Sequence, residues 1–183
     1  MEVLEAIKTR RSIRRYKTTP VDDKAVELAL EAARWAPSWT NTQCWRFIVV
    51  RDSNTKIELA TTLSDNNPAI DAMKSAPVVI VASAELAKSG CREGKPRTDK
   101  GDYWYMFDVA LAMQNLVLAA RSLGLGTVYV GSFDAKRAAS ILEVPQGFCV
   151  VAMTPLGHPA QAPDPRPRKE LSEIAFYDRF GSK

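Results

Sequence analysis

The sequence predicts an α+β fold, one domain with a mixed central β-sheet flanked by helices. Short apolar runs rich in β-branched residues recur between stretches of helical spacing, and PVVIVASA at 77–84 is the plainest of them. Strand-like and helix-like segments are scattered along the whole chain. No internal repeat and no Pro/Gly/Ser-rich linker divides the 183 residues, a length that one core can serve.

Val3, Leu4 and Ile7 have helical spacing and predict a short helix over 2–10. Residues 12–19 read as irregular or extended. Pro20 then prepares a helix that Asp22 or Asp23 can cap, running to Arg34 on a stripe of Val26, Ala29, Leu30 and Ala33. Pro37 stops it. The loop APSWTNTQCW, 36–45, leads into a strand at 45–50. Asp52 opens a helix to about Leu63, and Pro68 introduces another ending at Lys74. The run 77–84 suits a strand buried on both faces. Residues 86–101 are polar, with Gly90, Gly94 and Pro96, and read as a mobile excursion or lid.

The helix predicted over 102–123 would be about 33 Å long. It is apolar almost all round, so it is either a central core helix or a subunit-interface helix, and its sequence leaves both readings open. Gly124 and Gly126 end it and a strand follows at 127–130. Those glycines follow a helix and precede a strand, the reverse of a dinucleotide-binding fingerprint, so they read as a helix C-cap. Asp134 caps a helix to about Leu142, a strand spans 148–154, and a Pro-rich tail leads to LSEIAFYDRF, whose apolar pattern must dock somewhere.

Composition narrows the functional classes. With 46% hydrophobic and 25% charged residues the chain belongs with soluble globular proteins. The most apolar long segment carries Asp108, Gln114, Asn115 and Arg121, too polar for a membrane span. Three widely spaced cysteines and no signal-peptide pattern point to a reducing cytoplasm. A single histidine and no close cysteine pair argue against zinc and against a histidine-based triad, so no metal site is expected.

The net charge of +4 is concentrated. Lys8, Arg10, Arg11, Arg14, Arg15 and Lys17 lie within ten residues, and Arg166, Arg168 and Lys169 form a second group. Arginine forks and the Ser12 hydroxyl at a helix end can converge on one phosphate. A solvated basic face is the plain alternative. Nucleic acid is a weaker one, since no recognised nucleic-acid-binding pattern accompanies the run. In the loop at 36–45, Asn41 and Gln43 carry planar amides able to read the edge of a heterocycle, although such residues are often ordinary turn residues. Cys44 beside them could be a nucleophile or a packed small residue.

Together these pieces resemble the small FMN-dependent nitroreductase family. The likeness is carried by RRSIRRY at 10–16, APSWTNTQCWRF at 36–47, DVALAMQNLVLAARSLGLGTVYVGSFD at 108–134 and PRKELSE at 167–173. It implies an intertwined homodimer with two FMN molecules at the interface, the long helix in that interface, and a C-terminal extension, about 158–183, wrapping onto the partner. Arg10 and Ser12 would contact the FMN phosphate and ribityl chain, with Arg11 beside them and Arg166 and Arg168 completing the phosphate site. Arg14 would approach the N1–C2=O edge and stabilise negative charge there. Pro37, Ser38, Asn41 and Gln43 would come from the other subunit, and Val130, Gly131 and Ser132 would offer backbone groups near the flavin edge.

The activity implied is NAD(P)H-dependent FMN oxidoreduction, with NADH or NADPH as donor. Hydride would pass through flavin N5 by a ping-pong route to a nitroaromatic, a quinone or a related conjugated small-molecule acceptor. No protein side chain is then an obligatory catalytic acid or base. A dehalogenating or flavin-fragmenting enzyme of the same fold is the alternative, and a non-catalytic flavin- or nucleic-acid-binding module a more distant one. The family usually has proline where this chain has Cys44, so the thiol reads as a packed substitute for proline.

Overall fold

The computed structural model describes residues 1–182. Four strands form its sheet: β1 (Trp45–Val50), β2 (Val78–Glu85), β5 (Gly126–Thr127) and β6 (Phe148–Gly157), in the order β1-β2-β6-β5. All three pairings among them are antiparallel. The mixed character expected of the sheet is confined to one parallel bridge, Ser12 with Thr127, at its β5 edge.

β2 is the sheet's axis. Val78, Ile80, Ala82 and Ala84 join one core cluster, and Val79 and Val81 join the other. Alternate residues of a strand face opposite sides, so a continuous apolar run is what a doubly covered strand requires. On the first side lie α2 (Asp23–Arg34) and α5 (Trp104–Ser122). On the second lie α3 (Ser53–Ala60), α4 (Ile70–Ser75) and α6 (Ala135–Ile141). Helix α1 (Val3–Thr9) packs on α5.

The predicted caps are present. Asp22 accepts from the Lys24 N–H, Asp52 from the Thr55 N–H, and Asp134 from the Lys136 and Arg137 N–H groups. At the end of α5, Gly124 has φ +76° and the Leu125 N–H donates to the Ala120 carbonyl at 2.9 Å, closing the helix as the glycine reading anticipated.

Two strand limits differ from expectation. The strand expected at 127–130 is shorter: pairing with β6 is lost at Val128 and Tyr129, and Val130 rejoins Met153 through an isolated bridge. The Tyr129 side chain instead donates to Gln114 Oε1 on α5. β6 runs three residues past the expected Thr154. Proline usually ends a ladder because it lacks an N–H, yet Pro155 lies in register opposite Val79 and the strand continues to Gly157.

Of the two readings of α5, the core reading is met along one face. Val109, Ala112, Met113, Leu116, Val117 and Ala120 are buried at helical spacing against the sheet and α2, whereas Met106 and Phe107 at its start are exposed. The excursion at 86–101 holds a small hairpin of β3 (Cys91–Arg92) and β4 (Lys95–Pro96), and its base is anchored, with Ser89 and Gly90 buried. The C-terminal segment forms α7 (Leu171–Ile174) and leaves Leu171, Ile174, Tyr177 and Phe180 exposed. Among the described residues no helix is long and apolar enough to cross a membrane, and none form a His/Cys/Asp/Glu group able to hold a metal ion.

Candidate active site

Backbone pairing, rather than side chains, brings the two basic segments together. The Ile13 N–H donates to the Thr127 carbonyl at 2.9 Å, which lays residues 10–14 along the sheet edge. Further on, the Lys17 N–H donates to the His158 carbonyl and the Ala160 N–H to the Arg15 carbonyl, both at 2.9 Å. The Pro-rich tail is thereby set antiparallel to the arginine run. It then passes back across the end of α1.

The result is a cavity of about 540 Å³ lined by Arg10, Arg11, Ser12, Arg14, Arg166 and Arg168, with Lys8 and a single acid, Asp164, beside them. That volume is in the range of small-molecule sites. Among the described residues none of these five arginines forms a salt bridge; the ion pairs there involve Arg34, Arg46, Arg51, Lys88 and Lys100. Arg11 Nη1 donates to the Lys8 and Arg10 carbonyls at 2.8 Å, and Arg168 Nη1 donates to the Arg166 and Pro167 carbonyls. Both guanidiniums thus brace their own backbone and keep further donors free. So many unpaired cations around one concavity call for an anion, and a phosphate suits the forks of arginine.

The second half of the predicted site is the loop after α2. Pro37, Asn41 and Gln43 are exposed and Ser38 is half-buried, and none of the four lines the arginine cavity of its own chain. The loop has an unusual backbone. Thr40, Asn41 and Gln43 have φ values of +41°, +57° and +46°. Asparagine tolerates this left-handed region, but a β-branched residue such as Thr40 rarely adopts it. The turn is closed by the Gln43 N–H donating to Ser38 Oγ at 2.9 Å. Gln43 Nε2 donates to Asn41 Oδ1 at 3.2 Å, so the paired amides keep a free acceptor on Gln43 and a free donor on Asn41. Trp39 packs edge-on to Trp104 at 4.9 Å, and Trp104 neighbours Phe107 at 5.6 Å, giving an aromatic wall beside the loop.

The third group is narrowed by the structure. The Val130 N–H and carbonyl are both spent on Met153, at 2.9 and 3.0 Å, and the Val130 side chain is buried. Gly131 and Ser132 remain exposed, and of their backbone groups the Ser132 carbonyl accepts from Asn67 Nδ2. The bridge that ends β5 is what removes Val130 as an open backbone donor.

Cys44 is fully buried, and burial together with the neighbouring Asp108 carboxylate pushes its thiol up to about 12. An activated thiol needs the opposite setting. Reasoning from sequence missed Asp108 as part of this region, because a single acid inside an otherwise apolar helix gave no sign of what it would meet.

The sequence profile described as the nitroreductase family matches residues 7–158. The chain belongs to the nitroreductase family. It is 33% identical over 170 residues, 91% of this chain and 82% of the other, to a Methanothermobacter thermautotrophicus protein whose name pairs NADH dehydrogenase with NAD(P)H nitroreductase. Among solved structures, one from Desulfovibrio desulfuricans in complex with FMN is 34% identical with a TM-score of 0.78, covering 98% of each chain. The NADPH:FMN oxidoreductase of Vibrio harveyi, solved with NAD+, is 26% identical with a TM-score of 0.84, covering 99% of this chain and 79% of that one.

Proposed function

We propose that two copies of this nitroreductase-family chain form an intertwined homodimer with FMN in clefts between them. NAD(P)H and a conjugated acceptor, such as a nitroaromatic or a quinone, use each site in turn. The chain is an NAD(P)H-dependent FMN oxidoreductase. FMN, when bound, supplies the two-electron redox chemistry. The protein's part is to hold it and to set the field around it.

One observation carries this reading: unpaired arginines from both ends of the chain surround a cavity that the amide-bearing loop of the same chain does not line. Arg10, Arg11, Ser12, Arg166 and Arg168 would take the phosphate end of FMN. Pro37, Ser38, Asn41 and Gln43 of the second copy would line the ring, the two amides offering one donor and one acceptor. Arg14, exposed on the cavity wall, is a standing positive charge that would stabilise negative charge arriving beside it. Gly131 and Ser132 are the backbone groups left for the ring edge. The exposed apolar residues of the tail and the start of α5 supply surface for a second copy to cover.

The experiment is to purify the protein, measure its mass in solution, and add NADH or NADPH without oxygen. A yellow dimer whose flavin absorbance bleaches is expected. A colourless monomer that takes up no FMN would overturn the proposal.

A further inference from the structure

Asp108 is 1% exposed on α5, and among the described residues it forms no salt bridge. Its carboxylate instead collects hydrogen-bond donors. The Trp39 N–H donates to both oxygens at 3.1 Å, and the Ser89 hydroxyl donates to Oδ2 at 2.7 Å. The Thr42 hydroxyl at 3.5 Å and the Cys44 thiol at 3.8 Å approach the same oxygen. Three of these groups belong to the loop at 38–44, one before Thr40 and two after Asn41. The fourth comes from the buried base of the hairpin excursion.

We propose that Asp108 is a positioning residue for the flavin loop. It holds Trp39 to Cys44 in a backbone shape the sequence disfavours, and so fixes where Asn41 and Gln43 point. The inference rests on the assignment of that loop to FMN made above. A β-branched residue at φ +41° relaxes unless its surroundings over-determine it. Asp108 supplies that constraint by gripping the backbone before Thr40 and the side chains after Asn41, while Ser89 fixes the carboxylate's own orientation. The chemistry of the neighbours makes this more than packing. An ionised carboxylate only accepts, and each polar contact made with Asp108 brings a donor.

Asp108→Asn tests this with volume conserved, since it sets an amide donor against those donors. In the full chain, FMN affinity should fall about tenfold or more, as expected when a charged acceptor is lost. Amide exchange at 38–44 should rise in the FMN-free protein, with the rest of the core protected as before. The decisive arm adds Thr40→Gly, which accepts a left-handed φ without strain. If Asp108 acts by holding the loop's shape, Asp108→Asn/Thr40→Gly recovers most of the lost affinity; a purely structural role in the core gives no recovery and overturns the proposal.

If Asp108→Asn does not fold, Thr40→Gly alone decides. Relief of the strain should slow exchange at 38–44 and raise the melting temperature, and faster exchange with a lower melting temperature overturns the clamp. The site assignment fails separately. Should Asn41→Ala and Gln43→Ala bind FMN as the parent does, the loop is not the flavin wall, while the exchange measurements still judge the clamp.

Discussion

Gly126 and Ile13 are packed so closely that a Cβ on the glycine would lie 2.8 Å from Ile13 Cγ1 and 2.9 Å from its Cβ. The arginine run reaches the sheet edge only because β5 has no side chain at that point. Gly126→Ala is expected to cost about 1–3 kcal/mol, the usual range for overpacking a filled site. Because the segment that moves carries Arg10 to Arg14, FMN affinity should fall with it. A chemical-denaturation curve and an FMN titration on one preparation test both halves, and unchanged affinity would show that the arginines tolerate the shift.

Arg10 and Arg168 share a cavity from distant parts of the chain. Arg10→Ala and Arg168→Ala should each weaken FMN by about 1.5–3 kcal/mol, the cost of losing a charged hydrogen-bond partner. Riboflavin, which lacks the phosphate, should lose much less. Equal losses for the two ligands would contradict a phosphate in this cavity.

Cys44 has a distinct pH signature. Its folded value, pushed to about 12, stands above the ordinary 9.0 of a free thiol. The burial of the neutral thiol therefore contributes stability that is fully present below about pH 9 and is lost as pH rises toward 12. Cys44→Ala should cost about 1 kcal/mol near neutrality and narrow the alkaline fall in urea midpoint relative to the parent. Turnover should persist. A variant that keeps FMN yet loses turnover would restore the thiol as a reacting group.

The exposed tail gives a fourth prediction. Ending the chain at Glu170 removes Leu171, Ile174, Tyr177 and Phe180, all largely exposed in the single chain. Light scattering should then find monomer in place of the proposed dimer, with FMN lost on gel filtration. A flavin-retaining dimer would exclude the tail from the interface.

Much of this was legible in the residues. Asp22, Asp52 and Asp134 announced helix starts because capping chemistry is local. Val78 to Ala84 announced a doubly buried strand because its pattern lacks the alternation of a half-exposed one. The two basic groups, matched to one anion by charge, do line one cavity. What stayed hidden was long-range. Continuation of β6 through Pro155 depends on β2 lying opposite, and the loss of Val130 as a free donor depends on Met153. The left-handed turn at Thr40 has no local signature, since its cause is a carboxylate on another element.

The tail that completes the arginine cavity also sets an order of events in the cell. A ribosome making this chain delivers Arg10 early and Arg168 only after β6 has emerged, so until then a nascent chain carries one wall of the arginine cavity without the other. A chain cut before Arg166 would keep Arg10 to Arg14 and lose the opposite wall of the cavity.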